Sequence, residues 1–167
     1  MLTHLILLPV AVVSLQPGQC PDYSKIAKSF ISTYLDRSKD SQGSFQQTSS
    51  WFTSELNQLM VGYINSRSKD IKAHPKEMPD PSIEEKISIF WDLPSHVEIV
   101  STKEVGESAT VILHCTWGKG TDYEGESQPV SLIFKKSSKG WKIDNITTPK
   151  GKFVPQSDLR DELAKKQ

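Results

Sequence analysis

The chain has 167 residues, enough for one domain with a true hydrophobic core, and it shows no internal repeat. Its 20 Lys and Arg residues balance 20 Asp and Glu residues, so the broad positive field that nucleic-acid binding needs is missing and nucleic acid is not an expected partner. These bounds leave enzymes, ligand carriers and protein-binding domains.

The first segment reads as an export signal. Leu5 to Leu15 form an apolar run that Pro9 interrupts, far shorter than the roughly 20 residues of a bilayer-spanning helix, so no transmembrane helix is expected. Residues 1–19 are therefore assigned to a signal peptide and short arm, with cleavage after Ser14 or near Gly18. The n-region carries no Lys or Arg, and an apolar N-terminal strand is the alternative. Residues 20–148 form the expected domain, and 149–167 a tail with a short helix.

Cys20 and Cys115 leave three readings open. In an oxidising compartment they form a disulfide that ties the arm to the sheet; they are otherwise two thiols, or Cys20 carries a lipid. A lipid anchor is not expected, because Gln19 stands where a lipobox has a small residue.

The first helix is expected from Asp22 or Ser24 to about Arg37, since Ile26, Ala27, Phe30, Ile31, Tyr34 and Leu35 recur at steps of three and four. Ser38 to Ser50 is rich in Ser, Gln and Gly and reads as a solvated loop, with Phe45 pinning its middle. Trp51, Phe52, Leu56, Leu59, Met60, Tyr63 and Ile64 predict a second, longest helix. Pro75, Pro79 and Pro81 then stop regular structure. Ser82 with Glu85 makes a capping box for a short third helix running toward Pro94, although Ile87, Ile89 and Trp91 also fit a strand.

From His96 onward the period changes to two. Val97, Ile99 and Ser101 alternate with Glu98, Val100 and Thr102. After Gly106, the residues Ala109, Val111, Leu113, Cys115 and Trp117 share one face. Gly118 to Ser127 is a glycine-bearing loop that presents Asp122, Tyr123, Glu124 and Glu126. Val130, Leu132 and Phe134 form a third strand. Ser137 to Gly140 turns the chain into a fourth, with Trp141, Ile143 and Asn145 facing away from Lys142, Asp144 and Ile146. In the tail, Ser157 is the expected cap of a helix holding Leu159 and Leu163, whose thin apolar stripe predicts loose docking. The fold class is α+β, with amphipathic N-terminal helices packed on a curved antiparallel sheet of about four strands, a cone with a mouth.

The chain contains no phosphate-cradling glycine loop, nucleophile elbow or clustered metal-ligand motif, so neither cofactor nor metal is expected. His114 and Cys115 are strand neighbours that point to opposite faces and cannot chelate one ion. The weak catalytic candidates are Asp92, Glu98 and His114, near Trp91 and His96. A carboxylate at a cone's mouth could gain a raised pKa and act as a base, whereas the plainer reading is a capped turn with solvated charges. Tyr34, Tyr63, Trp117 and Trp141 either line a cavity for a small apolar ligand or fill it. Asn145 to Thr147 is a glycosylation sequon, relevant only in a eukaryotic secretory pathway.

The segments FISTYL (Phe30 to Leu35), HVEIVSTKEVGESATVILHCTW and VSLIFKKSSKGWKIDNI (Val130 to Ile146), with Gly140, Trp141, Lys142, Ile143 and Asp144 at the closing hairpin, carry a family likeness. The chain resembles secreted bacterial domains of unknown function in the nuclear-transport-factor-two-like, cystatin-like superfamily. That resemblance implies a cone-shaped fold and a secreted or periplasmic protein. The superfamily contains isomerases and dehydratases, ligand carriers and proteins that only bind other proteins, immunity proteins among them. No catalytic residue of its enzymes matches a position here.

Two functions are therefore expected. One is an exported non-enzymatic binding protein of the cell envelope that meets a protein partner through Gly118 to Ser127 and the proline-rich Ile71 to Pro81. The other is a cone for a small apolar ligand, with acid–base chemistry. An open cavity favours the second, and a filled cone with an exposed acidic loop favours the first.

Overall fold

A computed structural model describes residues 22–35, 44–88, 93–151 and 156–166. Residues 1–21, which hold the expected signal peptide and Cys20, lie outside the described residues, as do 36–43, 89–92 with Trp91 and Asp92, 152–155 and 167.

Helix α1 (Asp22–Phe30) runs into a wider π turn over Ile31–Leu35, and the stripe of Ala27, Phe30, Tyr34 and Leu35 is buried as its spacing predicts. The polar segment after it is not all loop. Phe45–Thr48 form a short helix, α2, and Ser49–Trp51 a 3-10 turn, because Phe45 and Thr48 stand three apart and both bury. Trp51 and Phe52 also precede the second long helix instead of opening it. Phe52 is extended and bridges Ile143 in parallel, and Thr53 then caps helix α3 (Ser54–Ala73), its hydroxyl accepting from the Leu56 amide. Leu56, Met60 and Tyr63 are the buried face of α3.

The Ser82–Glu85 capping box forms as expected, with the Glu85 amide donating to Ser82 Oγ and the Ser82 amide to Glu85. It starts helix α4 (Ile83–Ser88), so the piece is helix as far as Ser88; Ile89 and Trp91 lie outside the described residues. No helix among the described residues is long and apolar enough to cross a membrane.

Strands β1 (His96–Val105), β2 (Ser108–Thr116), β3 (Ser127–Ser137), β4 (Gly140–Thr148) and the two-residue β5 (Ser157–Asp158) make one open antiparallel sheet in sequence order. The sheet therefore has one strand more than the alternation predicts. Gly106 sits at φ 59 and Gly140 at φ 93, where the two tight turns need a left-handed backbone. One sheet face and the helices share a single core that includes Leu113, Leu132, Phe134, Ile143 and Ile146 with Phe30, Leu35, Leu56, Met60 and Ile87.

Two bulges rewrite the faces that strict alternation assigns. In β1, Ile99 pairs with Leu113 but Ser101 pairs with Ile112, so Ser101 leaves the face of Val97 and Ile99. In β4, Phe134 pairs with Ile143 while Ile133 pairs with Asn145, which leaves Asp144 as the extra residue. Ile146 then lies opposite Leu132 and turns inward with Ile143, correcting its expected outward place.

The tail is also corrected. Helix α5 (Leu159–Ala164) is capped by Asp158, not Ser157, and Leu159 and Leu163 are buried. It docks firmly. Glu162 meets Lys86 at 2.8 Å, Arg160 meets Asp144 at 2.7 Å, and beyond the helix Lys166 meets Asp80 at 2.7 Å.

Candidate functional site

The four aromatic side chains expected at a cavity wall sit in packing contacts. Tyr34 is buried with its hydroxyl against Thr48 Oγ1, and burial pushes its pKa up. Tyr63 is buried and donates to the Pro81 carbonyl at 2.7 Å. Trp117 meets the Tyr123 ring edge-on at 5.6 Å, and Trp141 meets Tyr23 in the same way at 5.2 Å. The two tyrosine hydroxyls are hydrogen-bonded and all four rings are covered, which is how aromatic residues behave in a filled core.

Two buried groups make this interior sensitive to alkali. Burial, followed by the charge of Asp80, pushes the Tyr63 hydroxyl from its ordinary 10.0 to about 12, and burial pushes the Cys115 thiol from 9.0 to about 12. Both pKa values are raised, so the stability tied to the neutral forms is complete below the unfolded values and disappears as pH climbs through the folded ones. Urea denaturation is expected to show stability falling above pH 9.0 and continuing toward about 12. Tyr63→Phe should remove the tyrosine share and Cys115→Ala the thiol share. A flat profile over that window would overturn this account. Cys20 lies outside the described residues, and if it bridges Cys115 the second variant will leave the slope unchanged.

Of the catalytic candidates, Glu98 and His114 come together. They are direct partners across β1 and β2, with Glu98 Oε1 at 3.7 Å from His114 Nδ1, and His96 Nε2 lies 4.0 Å from Glu98 Oε2. Side-chain exposures of 67% for His96, 55% for Glu98 and 40% for His114 place the trio in solvent, on the sheet face opposite Leu113 and Cys115. Among the described residues, no three His, Cys, Asp or Glu side chains converge to hold a metal ion. Asp92 lies outside the described residues.

Of the two loops expected to meet a partner, the acidic one is tied by its own hydrogen bonds and the proline-rich one by bonds from outside it. In the acidic loop the Trp117 amide donates to the Glu126 carbonyl, the Gly125 amide to the Trp117 carbonyl and the Glu126 amide to the Tyr123 carbonyl, so Asp122 and Glu124 project from a tied turn. The proline-rich segment begins later than expected, because Ile71 to Ala73 still belong to α3. Its far end is clamped. Arg67 Nε donates to the Asp80 carbonyl at 2.6 Å beside the Tyr63–Pro81 bond and the Lys166–Asp80 ion pair. Just ahead of this clamp, Met78 is 92% exposed.

Pattern reading missed a third feature. A groove of about 470 Å³ lies between the start of α3 and the β3–β4 hairpin, lined by Lys135, Lys136, Lys139 and Lys142 on one side and by Ser50 and Ser54 on the other. Its signal was the phrase KKSSKGWK, in which strand alternation was read and the charge density was not. Behind it, Asp144 at the β4 bulge is 5% exposed and takes hydrogen bonds from Thr53 Oγ1 at 3.0 Å and Arg160 at 2.7 Å, with Lys135 at 3.0 Å.

No protein-family model, curated protein or solved structure matches the chain.

Proposed function

We propose that this chain is an exported, non-enzymatic binding protein of the cell envelope, of the nuclear-transport-factor-two-like kind, that engages a protein partner through its two anchored loops. The observation that carries this reading is the contrast between interior and surface. Tyr34, Tyr63, Trp117 and Trp141 are used up in packing, while Met78 is held 92% exposed on a clamped loop. Methionine is enriched at protein interfaces, and a loop pinned at one end has less conformational freedom to lose on docking than an unanchored one. The five-stranded meander with helices over one face supports the superfamily resemblance, and the apolar N-terminal run supports a secreted or periplasmic location. Asp122 and Glu124, exposed on the tied acidic loop, suit a partner that presents basic groups. An immunity-like or envelope role fits such a partner.

The test uses the full-length chain, expressed with an affinity tag in its source, with captured proteins then purified for titration. The expected result is one stoichiometric partner whose affinity drops at least about tenfold, roughly 1.4 kcal/mol, in Met78→Asp combined with Asp122→Lys, with the thermal midpoint unchanged. Equal affinity in that variant would overturn the loop assignment. N-terminal sequencing that finds Met1 retained on the protein would overturn export.

A further inference from the structure

We propose that the groove between α3 and the β3–β4 hairpin binds a small phosphorylated polyhydroxy compound, with its lysines holding the phosphate. Charge is the first ground. The chain is neutral overall, with 20 basic and 20 acidic side chains, yet four lysines fall within the eight residues Lys135 to Lys142. The two-residue turn folds that run back on itself, so all four line one groove.

The second ground is placement against the grain of stability. Lys135 and Lys142 are direct cross-strand partners, and like charges in that position destabilise a ladder. Lys135 is steadied by Asp144 at 3.0 Å and Lys142 by the Ser50 carbonyl. Each ammonium has three donors, so one such contact leaves donors for an anion. Lys136 also lines the groove, while its ammonium rests 5.9 Å from the Trp141 ring.

The remaining lining defines the rest of the ligand. Ser50 and Ser54 are exposed there and supply hydroxyls. Glu55, in the first turn of α3, is the one carboxylate among the described lining residues; it repels an anion on its own side and accepts from a hydroxyl. Cations from the hairpin and an acceptor from α3 fit a phosphate monoester on a polyol better than a bare anion. The volume of about 470 Å³ lies within the roughly 300–1,000 Å³ of small-molecule sites. Phosphorylated glycerol occurs free in solution as the monoester and on phosphatidylglycerol as the diester, which keeps the anionic charge and the hydroxyls but has one ionisable oxygen fewer.

The experiment is calorimetric titration of the full-length protein with inorganic phosphate and with glycerol phosphate, alongside flotation with phosphatidylglycerol vesicles and with phosphatidylcholine vesicles. Saturable binding of glycerol phosphate, tighter than inorganic phosphate and weakened at least about tenfold in Lys139→Gln/Lys142→Gln, is expected. Flotation with the anionic vesicles alone, lost in the same variant, would support the groove with a lipid as the source. Lys139→Gln by itself, in the exposed turn, guards against a folding defect and should weaken binding severalfold at an unchanged thermal midpoint. Glu55→Gln should weaken glycerol phosphate and spare inorganic phosphate. Absence of saturable binding in every arm, or affinities unchanged in the lysine variants, would overturn the proposal, and neither result bears on the loop-mediated partner.

Discussion

Leu163→Ala is expected to lower the unfolding free energy by about 3 kcal/mol, the scale of a large-to-small change at a wholly buried leucine. Leu163 is fully covered, and α5 is further held by the Lys86–Glu162 and Arg160–Asp144 pairs. Urea denaturation monitored by tryptophan fluorescence gives the value. A loss below about 1 kcal/mol would mean that the tail is loosely docked, as its thin apolar stripe suggests. The docking should also be acid-sensitive. Burial raises the Glu162 carboxyl, but hydrogen bonds from Lys86 and Ser157 more than offset it and hold the pKa below the ordinary value. A depressed carboxyl contributes stability above its unfolded pKa and loses it as pH falls through the folded one, so the effect of Leu163→Ala should shrink in acid.

Asp144→Ala should be of similar size, about 2–3 kcal/mol. It strips Thr53 and Arg160 of their acceptor and leaves Lys135 facing Lys142 with no counter-charge. The figure sits below that of a fully buried ion pair because Lys135 is 55% and Arg160 29% exposed. Asp144→Asn keeps an acceptor for Thr53 and should cost roughly half as much. Chemical denaturation of both variants, with Arg160→Met to close a double-mutant cycle, would show strong non-additivity if the cluster acts as one unit. Additive losses would refute that.

Asp144 is also where pattern reading and structure part. Its alternation placed it outside the core between Ile143 and Asn145, and a charged residue there gave no reason to expect burial. The bulge turns Ile146 inward to join Ile143, and that rotation carries the Asp144 carboxylate to Thr53 at the start of α3. A helix cap, a strand irregularity and the C-terminal helix meet at one side chain. Segments more than 90 residues apart in the chain come into contact there, which no local period encodes.

The site divides in the same way. The acidic loop and the proline-rich segment were legible because glycine, proline and charge leave local marks, and both are loops at the surface. That the proline-rich loop is clamped by Arg67, Tyr63 and Lys166 was not legible, since those anchors come from α3 and from beyond α5. The lysine groove lay in plain view as composition, but half of its wall belongs to Ser50, Ser54 and Glu55, brought there by the Phe52–Ile143 bridge.

Hydrophobic period and turn chemistry were enough to establish an α+β chain, two amphipathic helices ahead of a meander, the inward faces of β2 and β3, and an interior rich in aromatic residues. These follow from which side of an element each apolar residue occupies, a property of neighbours three, four or two positions apart. Register at the bulges, the docking of α5, the filling of the interior by Tyr34, Tyr63, Trp117 and Trp141, and the gathering of four lysines against the start of α3 were decided by tertiary structure. Each depends on which distant surface an element meets, and the free energy that selects the partner comes from burial shared across the whole core.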